Sequence, residues 1–238
     1  NLKIFPEVVT FMNYKNFLTL GSKESDVLIN GLSNSMYLAV ITVLIGMPLS
    51  VVTGYTLARY KIKFKNLIIS FILMTIVIPV FTTIIPIYSF FMEHSMLDSM
   101  LWTSVIFISA FIPLNIWIIM NYFRELPEDL WEAAAIEGAN ERQLFFQIGL
   151  PLAKPIILTS SLIIFLMSWK QYIIPMLLLS SHNNKVLTLI MSEFMTRDAI
   201  NYSVIAMSGI IVIIPPLLAS IIFRKNLVSG LTAGSVKE

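Results

Sequence analysis

Six acids gather in one short stretch, ELPEDLWEAAAIEGANERQLFFQIGLPLAKP at 125–155, where Glu125, Glu128, Asp129, Glu132, Glu137 and Glu141 outnumber Arg142 and Lys154. A helix pair resting on lipid would carry Lys and Arg, because cytoplasmic leaflets are anionic. An acidic pair is repelled there, so a basic protein surface is the better partner. Ala133 and Ala134 present almost no bulk, which lets a helix seat deeply in a cleft, and Glu132 beside them offers a charge for an Arg.

Other reactive groups are few. Lys170, in Ser168-Trp169-Lys170-Gln171-Tyr172, is the single charge inside a predicted span. It reads first as a residue snorkelling to the outer interface beside Trp169 and Tyr172, and second as a lining residue for a hydroxylated or anionic solute. Asn115, beside Pro113, is another candidate lining residue, and an interhelical hydrogen bond explains it equally well. There is no cysteine, and His94 and His182 fall in separate predicted loops, so no metal site is expected. Gly-rich phosphate-binding loops, His-Glu-x-x-His and Gly-x-Ser-x-Gly are all missing, so the chain is not read as an enzyme. None of the predicted spans contains Asp or Glu, which ion-coupled carriers often place near midplane. An energy source in trans is therefore expected.

The elements around these residues are apolar helices. Mean hydropathy is +0.82, 57% of residues are hydrophobic and only 13% charged, a balance that excludes a soluble domain. A net charge of +2 is too small to point to nucleic acid. The chain divides into a mixed lead-in at 1–34, a membrane domain at 35–223 and a tail at 224–238. Five spans are expected at 35–57, 67–91, 101–123, 156–179 and 203–223, each long enough for a hydrocarbon core of roughly 30 Å. Gly46, Ser50, Gly54 and Ala58 form a small-residue stripe on the first span, suited to close helix packing. Pro48 should kink that span. Within 124–155, Pro127 suits a first helical position and Gly138 a left-handed helix end. Asn140 with Gln143 predicts a second helix start, and Pro151 its stop.

Orientation follows from basic residues. Arg59, Lys61, Lys63, Lys65, Arg124, Arg142, Lys154, Arg224, Lys225 and Lys237 fall on one side of the alternation, against Lys3, Lys15, Lys23, Lys185 and Arg197 on the other. The richer side is cytoplasmic. That places the acidic segment and the C-terminus inside.

Glu132-Ala133-Ala134, Gly138 and Ile148-Gly149-Leu150-Pro151 together resemble the EAA loop of ABC-transporter membrane subunits. One departure is Glu137, where many sugar-type members have Asp. Further likeness lies in Tyr55-Thr56-Leu57-Ala58-Arg59-Tyr60, Ile78-Pro79, Pro86-Ile87-Tyr88 and Ser168-Trp169 with Pro175, although Lys170 stands where the family often has Asn. The ending Gly230-Leu231-Thr232-Ala233-Gly234-Ser235-Val236-Lys237 resembles the smaller of the two maltose-type permease subunits.

The resemblance implies an all-α type I importer permease in a bacterial or archaeal plasma membrane. It implies a homologous permease partner, two ATP-binding subunits and an extracytoplasmic solute-binding protein. ATP and Mg would be bound by the partners, with no cofactor in this chain. Glu132, Ala133, Ala134, Gly138, Ile148, Leu150 and Pro151 are the expected ATPase-coupling residues, and Gly230, Thr232 and Gly234 the expected tail contacts. Such permeases usually have six spans, and the lead-in resembles the outer loop after the first, so an N-terminal span is expected to be missing. The implied cargo is a sugar or oligosaccharide. Other readings are an importer for glycerol phosphate or an osmolyte, an ion-coupled secondary carrier, and a membrane scaffold that recruits a partner through the acidic loop.

Overall fold

The structure is a computed structural model that describes residues 10–12, 14–15, 23–196 and 202–232. Among the described residues every regular element is helical. From Lys23 onward they are, in chain order, α1 (Lys23–Arg59), α2 (Lys65–Val77), α3 (Val80–Glu93), α4 (Met100–Glu125), α5 (Glu128–Ile136), α6 (Glu141–Leu152), α7 (Lys154–Trp169), α8 (Ile173–Leu178), α9 (Leu187–Thr196) and α10 (Tyr202–Thr232). Among the described residues, three stretches are long and apolar enough to cross a membrane unaided: Ser25–Arg59, Met100–Glu125 and Ile205–Arg224. Two bent pairs, α2 with α3 and α6 with α7, bring the possible spans to five.

Helices α1 and α4 form the centre. In their most apolar windows 39% and 44% of residues are buried, against 11% in α10, which leaves α10 facing outward. The small-residue stripe explains the close approach of α1 to α4. A Cβ on Gly54 would stand 2.9 Å from Ile119 Cγ2 and 3.0 Å from the Met120 backbone nitrogen. Ser50 is fully buried on the same stripe and donates its hydroxyl to the Gly46 carbonyl at 2.7 Å. Helix α1 runs unbroken across Pro48.

Several boundaries differ from the sequence reading, each for a local reason. Helix α1 begins at Lys23, well before 35. Its polar start is held by residues 183–187: Asn34 Nδ2 donates to the Asn183 and Lys185 carbonyls, and the Leu187 N–H donates to Ser35 Oγ at 2.9 Å. The second span is two helices meeting at 93°. Proline drives the preceding residue out of the α region, and Ile78 accordingly takes φ −64°, ψ 119°. The fourth span ends at Trp169 and restarts at Ile173, so Lys170 caps α7 and is exposed instead of lying inside a helix. The stretch 180–202, expected to be loop, contains α9, whose Leu187, Ile190 and Phe194 pack with Leu28, Ala39 and Trp169. The last helix continues beyond 223 to Thr232.

Asp98 ties the connection between α3 and α4 to the stretch after α8. At φ 56° it directs its carboxylate to the N–H groups of Ser180 and Ser181, at 3.0 and 2.9 Å. Its own N–H donates to the Leu178 carbonyl at 2.7 Å, which anchors the end of α8.

Candidate functional site

The acidic segment folds as two helices around one glycine turn. Helix α5 starts after Pro127, with Glu128 and Asp129 in its first turn where the helix dipole favours carboxylates. Proline thus serves as the cap, one residue before its expected first helical position. The helix ends when Ala139 N–H bonds the Ala134 carbonyl and Gly138 N–H the Ala135 carbonyl, both at 3.0 Å. This paired closure requires a left-handed residue, and Gly138 supplies it at φ 87°.

Helix α6 opens on a reciprocal cap. Gln143 N–H donates to Asn140 Oδ1 at 3.0 Å, and Asn140 N–H donates to Gln143 Oε1 at 2.8 Å. Pro151 does not stop this helix as expected. The backbone widens into a π turn over Leu144–Gly149, where Leu150 N–H bonds the Phe145 carbonyl, and the helix continues through Leu150–Leu152. A proline ring clashes with the carbonyl four residues before it; a π turn shifts that carbonyl away. The turn into α7 then bends by 68°.

Burial divides the expected coupling residues into two groups. Glu132, Ala133, Gly138 and Pro151 are exposed, with Ile136, 86% exposed, beside them. Ala134, Ile148 and Leu150 are half-buried and pack against a core cluster of the chain itself. That core joins Met47, Val51 and Tyr55 of α1 with Phe123 of α4, Trp131 of α5 and Leu144 of α6. One face of α5 is thus anchored and the other is free, with acids framing small and apolar side chains.

Sequence reasoning missed the anchor. Trp131 is 2% exposed, and its ring lies 6.0 Å from that of Tyr55. The Arg59 guanidinium sits 4.4 Å from the Trp131 ring centre. Gly149 is confined between them, since a Cβ there would meet Trp131 at 3.3 Å and Tyr55 at 3.4 Å. Tyr60 Oη donates to Glu141 Oε2 at 2.5 Å, and Tyr122 Oη donates to the Leu152 carbonyl at 2.7 Å. The Glu141 hydrogen bond, helped by desolvation, pushes the Tyr60 hydroxyl up to about 12. The available signal was a lone Trp among acids, an apolar residue where a solvated face would have none.

The remaining candidates lie elsewhere. Asn115 is 1% exposed, and neither its amide oxygen nor its nitrogen has a partner. Lys170 stands on the surface at the break after α7, so the two occupy unlike surroundings. Gly230 and Thr232 belong to the last turns of α10, whereas Gly234 lies outside the described residues. Among the described residues no three His, Cys, Asp or Glu gather as metal ligands would.

Residues 46–232 match the family of binding-protein-dependent transport system inner membrane components. The chain is similar to the arabinooligosaccharides transport system permease protein AraQ of Bacillus subtilis (strain 168), at 29% identity over 237 residues, covering 100% of this chain and 82% of that protein. It is also similar to the trehalose transport system permease protein SugB of Mycobacterium tuberculosis (strain CDC 1551 / Oshkosh), at 28% identity, covering 99% and 85%. Among solved structures, its fold resembles a chain of a bacterial ABC transporter involved in the import of the acidic polysaccharide alginate. There the TM-score is 0.77 at 21% identity, over 91% of this chain and 79% of that one. The MetNI methionine ABC transporter, in an inward facing conformation, gives a TM-score of 0.68 at 16% identity, over 89% and 99%.

Proposed function

The chain belongs to the family of binding-protein-dependent transport system inner membrane components, and from that premise we propose that it is the membrane-spanning subunit of an ATP-driven importer of sugars or oligosaccharides. One observation carries the cargo class: proteins similar to essentially the whole chain are permeases for arabinooligosaccharides, trehalose and melibiose/raffinose/stachyose. The exposed face of α5 carries the energetic half of the reading. Glu132, Ala133 and Ile136 project from a helix whose other face is locked to the inner core. This face fits a cleft with basic walls and an apolar floor on an ATP-hydrolysing subunit.

The subunit would pair with a homologous permease, two such ATPases and an extracytoplasmic solute-binding protein, with its C-terminus in the cytoplasm. ATP and Mg would be held by the partners. The path for the solute would lie between the two permeases and change its access as the ATPases close. Asn115 and Lys170 are the candidates of this chain for that path, with Asn115 occluded among helices in the conformation seen here. Gly230, Thr232 and Gly234 would reach the ATPase pair.

The test is ATP-driven uptake by the complete complex in vesicles, offered trehalose, arabinooligosaccharides and raffinose in turn, with glycerol phosphate and glycine betaine as the competing cargos. Glu132→Lys should abolish uptake while the subunit still inserts. Equal ATP-driven uptake by that variant would remove the docking role. Uptake of glycerol phosphate or betaine alone would overturn the saccharide assignment.

A further inference from the structure

The segment Tyr55 to Tyr60 ends α1 at the inner face, and three of its side chains reach the acidic loop. Tyr55 meets Trp131 and Phe145 edge to face, with ring centres 6.0 and 4.9 Å apart. The Arg59 guanidinium covers Trp131 at 4.4 Å. A cation over an indole is the strongest pairing of its kind, and more so when desolvated; Trp131 is buried. Tyr60 crosses to Glu141 on the second helix at 2.5 Å. One helix end therefore holds both α5 and α6.

The joint between α5 and α6 makes this arrangement matter. Gly138 turns the chain, and nothing lies within 4 Å of where its Cβ would be. An unpacked glycine joint does not by itself make two helices rigid. Their common attachment to α1 does, because each tie spans the joint from outside. We propose that Arg59, Tyr60, Trp131 and Glu141 form a strap that makes the loop and α1 one mechanical body, so that displacement of the loop by the ATPase rotates α1 directly. These are positioning residues, and the inference rests on the reading of α5 as the ATPase docking helix. Tyr60 donates as an ordinary phenol does at neutral pH, and its hydrogen bond to Glu141 raises the hydroxyl further. Close packing of Gly54 on α4 then carries the movement to the centre of the bundle.

The chain has no cysteine, so spin labels can be placed uniquely at exposed Lys61 and Gln147, just beyond α1 and on α6. In the assembled importer the distance between them should be narrow and unchanged between nucleotide-free and ATP-bound states. In the double variant Arg59→Gln/Tyr60→Phe it should broaden and shift on ATP. Solute moved per ATP hydrolysed should fall by about 2- to 30-fold, the range spanned by residues that tune coupling. Glu141→Gln keeps an acceptor for Tyr60 and should retain most of the ratio, whereas Glu141→Ala should not. A wild-type distance that shifts on ATP, or a double variant with an unchanged distance and ratio, overturns the strap. A rigid wild-type distance that loosens in the double variant, in an importer that moves no saccharide, supports the strap and rejects only the cargo.

Discussion

Two glycines on one stripe should respond oppositely to the same methyl group. At Gly54 a Cβ would stand 2.9 Å from Ile119 Cγ2, 3.1 Å from Ile119 Cβ and 3.0 Å from the Met120 nitrogen. Ile119 is fully buried and Met120 is 2% exposed, so neither can swing aside, and a backbone nitrogen moves only with its helix. At Gly46 the nearest atoms are 3.6 and 3.8 Å away, both on side chains. Overpacking costs about 1–3 kcal/mol, while alanine gains about 0.8–1.0 kcal/mol over glycine in a helix interior. Gly46→Ala should therefore stabilise by up to about 1 kcal/mol. Gly54→Ala has the same propensity gain, so the difference between the two variants isolates the strain, about 1–3 kcal/mol. Equilibrium unfolding in mixed micelles, titrated with sodium dodecyl sulfate and followed by circular dichroism, measures that difference. Equal stability of the two variants would refute close approach of α1 and α4 at Gly54.

Gly138→Ala should destabilise the loop by about 1–2 kcal/mol through its left-handed backbone alone, since no neighbour obstructs a methyl group. Gly138→Asn should lose less, and equal melting of all three proteins would speak against the turn. Burial raises the Asp98 carboxyl, but hydrogen bonding with Ser181, Ser180 and Asn184 outweighs it and leaves the group below its ordinary value. Its contribution is then complete above the ordinary value of 3.8 and lost only as pH falls through the lower folded value. Amide exchange at Ser180 and Ser181, corrected for intrinsic rates, should stay slow from neutral pH to about 4 and speed up below it; loss of protection near pH 6 would contradict the cap. Deleting 229–238 should lower ATP-driven uptake while the solute-binding protein still associates, and full uptake by the truncated chain would make that stretch a frayed end.

What the sequence alone determined was local or global, with little between. The long apolar runs announced a multi-span helical protein because the bilayer forces every spanning backbone to satisfy itself as helix. Gly138 and the Asn140–Gln143 cap were legible because each closes within a few residues, and no distant contact competes. The apolar run 67–91 reads as one span, and the 93° turn at Ile78-Pro79 emerges only in the folded chain. Tertiary structure decided the rest. The polar start of α1 lowers its hydropathy, and only the hydrogen bonds that Asn34 and Ser35 share with residues 183–187 show why it stays helical. Pro151 signals a helix end until the π turn makes room for it. Trp131 belongs to a helix rich in acids, and its inward direction depends on Tyr55 and Arg59, distant in sequence. Glu141 looked like one more docking acid, yet a hydroxyl from the end of α1 already holds it. Local hydrogen bonding can be read along a chain, but which face of a short helix is anchored depends on what another segment brings against it.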